Sequence, residues 1–236
     1  MSFDQNIMFD GNDLSPLLMV TDVTRQVMPK RRMTQTQVPG MDGALVSAVE
    51  LEPLEVTVKG VILRRSMEGV SDARRAIARL LASKQPAPLF LPDEAGTYLM
   101  ALYQGGAEPS ALMGNPEVEL SFICPDPVAY GERRQQQVSG TQYVDAGGTY
   151  PASPVVTAKP SGSYYQITNV DTGEFVRVDA SFTGSQTLVL DFAMGWCTIN
   201  GADARVDISS DYFKLDGCQQ IKVTAASTLE WDERWL

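Results

Sequence analysis

The chain has 236 residues, 44% of them hydrophobic and 20% charged, which suits one or two packed domains and excludes a disordered protein. No apolar run approaches the roughly 20 residues of a membrane span, and the net charge of −10 disfavours tight binding to nucleic acid. The chain also has no histidine, so it lacks the usual general base of an enzyme at neutral pH and the commonest ligand of transition metals.

Two features predict that the protein folds in a cytoplasm. Residues 1–6 lack the basic start and the apolar core of a secretory signal. The cysteines are Cys124, Cys197 and Cys218, an odd number without the CxxC spacing of a zinc or redox site. We therefore expect buried free thiols and no disulfide framework, with a pair that meets across a sheet as the alternative.

A long basic segment, Met28–Gly43, exceeds the length of an ordinary hairpin loop, and such loops are usually functional. Its basic cluster, in an acidic chain, suits a docking contact with an acidic patch on another copy of the protein. A flexible solvated loop is the alternative. The candidate contacts with another copy are Lys30, Arg31, Arg32, Pro39, Gly40 and Asp42.

A strand followed by a helix is predicted next. Residues 55–63 are β-branched and nearly alternating, which is typical of a strand with one buried face. Ser71 offers an N-cap, apolar residues recur at helical spacing over Ala73–Leu81, and prolines end the helix by about Ser83. The helix also carries three arginines outside its apolar stripe: Arg74, Arg75 and Arg79. They either bind an anion or acidic neighbour or form a solvated polar face.

Three further strands complete the first half. Residues 88–91 and 98–103 flank a turn, and residues 117–124 show the clearest alternation of apolar and polar side chains in the chain. Pro125 and Pro127 follow directly and cannot donate ladder hydrogen bonds, so the strand must end there. These prolines mark the predicted domain junction.

The predicted domains are 1–134, which mixes strands with one helix, and 135–236, which is all-β. Residues 135–163 are rich in Gln, Gly, Ser, Thr and Pro, which predicts a linker leading into a weak strand. Short apolar runs separated by turn signals follow, including a type I′ hairpin signal at Asn200-Gly201. This pattern predicts a β-sandwich or jelly roll. The predicted strands are 164–169, 175–179, 188–192, 196–199, 204–208, 212–215, 220–224 and 229–235.

The acidic residues do not form a convincing catalytic or metal site. Asp203, Asp207 and Asp211 lack the spacing and the closing glutamate of an EF-hand loop. Glu117 and Glu119 share a strand face, as a glycosidase pair would, but they equally suit the wet face of a sheet. We therefore predict no catalytic residue, no cofactor and no metal.

Aromatic residues of the second half raise an alternative function. Trp196 and Tyr212 are candidate glycan contacts, because exposed aromatic rings stack on sugars, although core packing is the commoner use of such rings. The alternative to a structural protein is accordingly a carbohydrate-binding module that attaches its carrier to a cell-wall glycan.

The junction Phe122–Tyr130, with the sequence FICPDPVAY, resembles the junction of distal tail proteins of long-tailed, non-contractile phages. Other segments resemble the same family in the family's order. They are 7–15, 39–43, 73–81, 88–94 and 231–236. The resemblance spans nearly the whole chain, but residues 135–163 match nothing in it.

The resemblance implies a hub in the tail tip of a phage or prophage. Its N-terminal β-sandwich, with one helix and an extended hairpin, would join copies into a hexameric ring, and a galectin-like sandwich would project outward. The ring would connect the tail tube protein to tail-tip proteins around a channel for DNA. Further implied partners are a receptor-binding protein or a cell-surface glycan. The implied location is the virion tail tip, after assembly in the bacterial host cytoplasm.

Overall fold

The computed structural model describes residues 6–106 and 114–236. The chain divides into two compact units, with the division between Ala129 and Tyr130. Each unit buries its own hydrophobic cluster. The prediction of a mainly β protein with one helix in its first half is confirmed for the described part of the chain.

Seven strands of the N-terminal unit form one antiparallel sheet, and two further strands form a separate hairpin. In chain order the elements are β1 (Met8–Phe9), β2 (Asn12–Asp13), β3 (Leu18–Arg25), β4 (Arg31–Thr36), β5 (Leu45–Leu51), β6 (Leu54–Ile62), α1 (Met67–Leu80), β7 (Ala87–Phe90), β8 (Leu99–Gly105) and β9 (Glu117–Cys124). The order across the sheet is β2-β1-β7-β8-β9-β6-β3, while β4 pairs with β5.

The core of this unit lies where β6 and β9 pair. Both strands alternate between buried and more exposed residues, because one face of each packs on the core. Phe122 on β9 is fully buried, and its ring lies 5.5 Å from Phe9 and 5.8 Å from Tyr103. The strands predicted at 55–63 and 117–124 are therefore present. Their alternation of apolar and polar residues reflects the burial of one face of each strand against a common core.

The helix begins earlier than predicted. Ser66, not Ser71, is the N-cap, and its hydroxyl accepts a hydrogen bond of 3.1 Å from the backbone N–H of Gly69. Val70 adds one more turn to the buried stripe that continues through Ala73 and Ile77. The predicted start at Ser71 is wrong because this earlier cap and the burial of Val70 together stabilise the additional turn.

The C-terminal unit contains ten strands in two sheets. The strands are β10 (Ala129–Val138), β11 (Thr141–Asp145), β12 (Val155–Ala158), β13 (Ser161–Asn169), β14 (Phe175–Thr183), β15 (Leu188–Asp191), β16 (Trp196–Ile199), β17 (Ala202–Asp203), β18 (Cys218–Val223) and β19 (Ser227–Trp235). One sheet has the order β10-β19-β12-β15-β16-β17, and the other has the order β11-β18-β13-β14.

The predicted linker over residues 135–163 is wrong. The segment contains the end of β10, all of β11 and β12 and the start of β13. Polar residues can form β10 because this strand lies at the edge of its sheet, where half of its residues are exposed. The compact units also divide five residues before the predicted domain boundary, since β10 pairs with β19 of the C-terminal unit.

Two strands predicted near the C-terminus are absent from the described structure. Residues 204–208 and 212–215 are irregular apart from one bridge between Leu215 and Ala152. The first segment instead attaches to β14, because the N–H of Asp207 donates a hydrogen bond of 2.8 Å to the carbonyl of Arg177. Isolated hydrogen bonds of this kind satisfy the backbone without building a strand.

The last strand, β19, is tied to the loop that follows β11. The indole N–H of the buried Trp231 donates a hydrogen bond of 2.7 Å to the carbonyl of Ala146. The carbonyl of Arg234 accepts hydrogen bonds from the N–H groups of Thr149 and Tyr150 at 2.9 and 3.0 Å. These contacts hold the end of β19 against the loop that follows β11.

Candidate assembly surfaces

The β4–β5 hairpin is the most exposed regular element of the N-terminal unit. Every residue of β4 and most of β5 are exposed, and in the described part of the chain the two strands pair only with each other. A two-stranded hairpin is marginally stable by itself. An element of this kind suits an intermolecular contact.

One face of the hairpin is apolar. Directly opposed residues of an antiparallel pair point to the same face, and Met33 lies opposite Val49 while Gln35 lies opposite Val46. The side chains of Met33, Val46 and Val49 are 54%, 47% and 52% exposed. We call these three residues the apolar hairpin face. Clustered exposed apolar side chains of this kind mark interaction sites.

Sequence reasoning missed this face because it treated Met28–Gly43 as a loop. The structure shows that residues 31–36 are a strand, so this prediction is wrong. A signal was available in the run Leu45–Val49, where valines flank small residues in a β-prone segment. The run lacks strict alternation because a bulge interrupts the register between Thr34 and Gln35.

The basic candidate residues lie at the base of the hairpin. The guanidinium of Arg32 forms an ion pair of 2.6 Å with Glu50 on the opposite strand, and this contact raises the pKa of Arg32 further. Lys30 is joined to the same region because its carbonyl accepts a hydrogen bond of 2.8 Å from the N–H of Glu52. Arg31 lies opposite Leu51 and is exposed. Among the described residues, Glu50 thus pairs with Arg32, while no carboxylate lies within ion-pair distance of Lys30 or Arg31.

The other predicted contact residues lie at the tip. Pro39, Gly40 and Asp42 are exposed residues of the turn between β4 and β5, and Gly40 adopts a positive φ of 81°. The turn is closed in part by a hydrogen bond of 3.1 Å from the N–H of Met41 to the carbonyl of Val38. The hairpin therefore separates the tip from the basic base, and the six candidates do not form one cluster.

The three arginines of α1 lie on its exposed side. Arg74, Arg75 and Arg79 are all exposed, while Ala73 and Ile77 face the core. Arg75 lies 3.6 Å from Asp72 one turn earlier, an exposed pair of small energetic value. The predicted separation of a buried apolar stripe from an arginine-bearing face is therefore present.

The junction prolines lie between the last strand of one unit and the first strand of the other. β9 ends at Cys124, Pro125 and Pro127 follow, and β10 begins at Ala129. Val128 and Ala129 are buried, and Ala129 belongs to the N-terminal core cluster. The connection is therefore four residues long and is followed directly by a residue packed on that core.

The two candidate glycan contacts differ in accessibility. Trp196 on β16 is 62% exposed. The ring of Tyr212 packs edge-on against Phe192 at a centroid distance of 5.2 Å, and its hydroxyl is buried. Trp196 thus offers a free ring face for stacking, whereas Tyr212 contributes mainly to packing.

The acidic residues considered as catalytic or metal-binding candidates make ordinary structural contacts. Asp207 accepts hydrogen bonds from the N–H and the hydroxyl of Ser209, which lower the pKa of its carboxyl. Glu119 lies opposite Lys59 on the neighbouring strand, and Glu117 lies opposite Val61. Across residues 6–106 and 114–236, no group of three or more His, Cys, Asp or Glu side chains is placed to hold a metal ion.

The cysteines differ in burial, contrary to the expectation that all three thiols are buried. Cys124 and Cys197 are buried, and Cys218 at the start of β18 is exposed. Burial raises the pKa of the Cys124 thiol to about 12 and that of Cys197 to about 11. Both groups are therefore protonated and poorly nucleophilic at neutral pH.

We expect a thiol reagent at about pH 8 to modify only Cys218 rapidly in the folded protein, because the thiolate reacts and the other two thiols are buried. Mass spectrometry of the intact chain should show one added group in buffer and three in denaturant. A Cys218→Ser variant is the control and should lose the fast reaction. Rapid modification of Cys124 in native protein would contradict this burial.

None of the helical residues in the described ranges forms a segment that is both long enough and apolar enough to cross a membrane.

Two family profiles match most of the chain. The profile of a phage tail protein RIFT-related domain matches residues 12–124. The profile of a siphovirus-type tail component, C-terminal domain, matches residues 147–235. The two matches fall on the two compact units in the order that the sequence resemblance requires.

Known proteins and structures give the same result. The distal tail protein of Bacillus phage SPP1 is 26% identical over 243 residues, covering 98% of this chain and 95% of that protein. The crystal structure of SPP1 Dit, described as a paradigm of the hub adsorption apparatus in phages infecting Gram-positive bacteria, superposes with a TM-score of 0.87. It is 22% identical and covers 98% of this chain and 99% of that one. A chain of the phage P2 baseplate in its activated conformation with Ca has a TM-score of 0.51 at 10% identity, covering 95% and 93% of the two chains.

Proposed function

Because the chain belongs to the family of siphovirus-type distal tail proteins, we propose that it forms a ring-shaped hub in the tail tip of a phage or prophage. The ring joins the tail tube protein on one side to tail-tip proteins on the other and leaves a channel for DNA. Its role is structural and not enzymatic. The protein is made in the host cytoplasm and ends in the virion.

The apolar hairpin face carries this proposal. Fully burying a valine or methionine side chain contributes about 1.5–3 kcal/mol relative to leaving it exposed. Met33, Val46 and Val49 are each about half exposed, so covering them with a neighbouring copy contributes a few kcal/mol to each contact. A contact of this size, repeated around a ring, supports stable assembly.

A ring requires head-to-tail contacts between different surfaces of identical copies. A hairpin that projects both of its faces into solvent can reach a neighbour without disturbing its own sheet, because β4 and β5 take no part in the seven-stranded sheet. The number of copies that we propose, six, follows the family. The tip residues Pro39, Gly40 and Asp42 and the basic base residues Lys30, Arg31 and Arg32 remain proposed contacts of the same hairpin.

The charge of the chain suits a conduit for DNA. A net charge of −10 per copy gives the ring a strongly negative field, and a lumen that repels phosphate groups does not retain the passing genome. The proposal therefore needs no specific binding to nucleic acid.

The two parts of the chain have different proposed roles. We assign ring formation to residues 1–134 and a peripheral position to the galectin-like domain of residues 135–236. Pro125 and Pro127 restrict the backbone of the four-residue connection between the two parts. The exposed ring of Trp196 is a proposed contact for a receptor-binding protein or a glycan.

The test replaces the opposed pair Met33 and Val49 by Met33→Lys and Val49→Glu in one variant. The new side chains can pair across the strands and keep the net charge at −10, so hairpin register is retained while the apolar face is lost. We expect monomers by multi-angle light scattering and no rings by negative-stain microscopy. The matched control is Thr34→Lys with Ala48→Glu, an opposed pair on the other face of the hairpin, which should still assemble. Rings formed by the Met33→Lys, Val49→Glu protein would refute the proposal.

A further inference from the structure

Positive charge is concentrated around α1 in an otherwise acidic chain. Residues 64–84 contain six basic and two acidic residues, a net charge of +4, whereas the rest of the chain carries −14. The basic residues of this segment are Arg64, Arg65, Arg74, Arg75, Arg79 and Lys84. We call the exposed side chains of Arg74, Arg75 and Arg79 the basic helix face.

This charge is poorly offset within the chain. Arg75 has Asp72 at 3.6 Å, while among the described residues Arg74 and Arg79 have no carboxylate within ion-pair distance. Arg75 and Arg79 lie one turn apart on the same helix, where like charges repel. At the base of the hairpin Arg32 likewise pairs with a carboxylate, that of Glu50 at 2.6 Å. The segment around α1 carries a net charge of +4, so the basic helix face is a candidate for an unsatisfied electrostatic contact.

We propose that the basic helix face docks on an acidic surface of a second copy of this chain. This inference rests on the proposed function, because it assigns a second contact to the same ring. The hairpin supplies apolar contact area, and the helix supplies charge complementarity, which speeds association and fixes which surfaces meet.

A second copy is the occupant that the charges favour. Outside residues 64–84 each copy carries a net charge of −14, so a second copy supplies an excess of carboxylates for the basic helix face to meet. Head-to-tail packing brings different surfaces of identical chains together, as this complementarity requires. DNA is the competing occupant of a basic surface, but the field of the whole chain repels phosphates.

The test reverses the charges in the full-length protein with Arg74→Glu, Arg75→Glu and Arg79→Glu. The matched control makes the same charge change at three exposed basic residues of the C-terminal unit, Lys159→Glu, Arg205→Glu and Lys214→Glu. Ring dissociation is measured by analytical ultracentrifugation at about 0.1 M and about 1 M salt, where the Debye length falls from about 10 Å to about 3 Å.

We expect the helix variant to weaken assembly at least about tenfold at the lower salt concentration, and the difference from wild type to shrink at the higher one. The control variant should assemble like wild type. A conservative variant, Arg74→Lys with Arg79→Lys, should assemble normally. Its new amines should couple to carboxylates of a neighbouring copy with a carbodiimide, and mass spectrometry would then identify the acidic partner residues.

Several outcomes would overturn the inference. If the helix variant forms rings as well as wild type at both salt concentrations, the face makes no ring contact and the hub proposal is untouched. If helix and control variants weaken assembly equally, net charge and not the helix is responsible. If the helix variant assembles normally but loses retention on duplex DNA, the occupant is nucleic acid. A wild-type protein that never assembles refutes the hub proposal together with this inference.

Discussion

Replacing Phe122 by alanine is expected to lower the free energy of unfolding of the N-terminal unit by about 3–5 kcal/mol. The ring is fully buried on β9 and contacts the rings of Phe9 and Tyr103, so its removal leaves a cavity between β1, β8 and β9. The free energy of unfolding of a single domain is only about 5–15 kcal/mol, so this loss is a large fraction of it. Ring formation should weaken with it, because the hairpin belongs to this unit.

Urea denaturation followed by circular dichroism measures the effect, with each unit fitted as its own transition if two are resolved. Phe90→Ala is the matched control, because Phe90 is 36% exposed and stacks on Tyr98 at 5.3 Å near the surface. We expect the control to cost less than half as much. A Phe122→Ala protein with an unchanged urea midpoint would contradict the described core.

The second large effect is expected in the C-terminal unit, where Gly148→Ala should cost about 3–5 kcal/mol. An added Cβ would lie 2.1 Å from the carbonyl oxygen of Arg234, which already accepts two hydrogen bonds from Thr149 and Tyr150. Relieving the clash breaks these bonds, at about 0.5–1.5 kcal/mol each. Gly148 also has a φ of +70°, which costs a residue with a side chain about 1–2 kcal/mol.

Gly173→Ala separates the two causes. Gly173 has a similar φ of +80°, but an added Cβ there meets no atom within 4 Å. This control should therefore show the backbone cost without the clash, and thermal denaturation should separate the two variants clearly. Equal effects at Gly148 and Gly173 would mean that the loop after β11 yields easily and does not hold the end of β19.

These two positions also show what sequence reasoning could reach. Alternation over residues 117–124 predicts that Phe122 is buried, because one face of a strand must pack on a core. Gly148 carries no such signal, since its importance depends on Arg234, which lies far away in the sequence. Local sequence pattern identifies a buried strand residue. It does not identify a close approach between two backbone segments that lie far apart in the sequence.

The strands β4 and β10 were missed for one physical reason. β4 is exposed along its whole length and β10 at half of its residues, so neither carries the apolar alternation by which strands are recognised. The helix start was misplaced for a different reason, because Ser66 and Ser71 are both acceptable N-caps and burial of Val70 decides between them.

The candidate assembly site was only partly accessible from sequence. Lys30, Arg31 and Arg32 attract notice as a basic cluster, yet Arg32 is paired with Glu50, which is 18 residues distant and becomes its neighbour only through the hairpin register. Met33 and Val49 form one apolar face through the same register. The arginines of α1 were visible at helical spacing, and their exposure required only that the apolar stripe face the core.

The sequence by itself determined that the protein is mainly β, acidic, free of histidine and interrupted at Pro125 and Pro127, because composition, local periodicity and proline chemistry need no partner residues. It also carried, in the order of its short motifs, the likeness to distal tail proteins. Only the tertiary structure decided which surfaces remain open for assembly. Strand register and packing between distant residues determine which charges are already paired and which apolar side chains stay uncovered, and neither is encoded in local pattern.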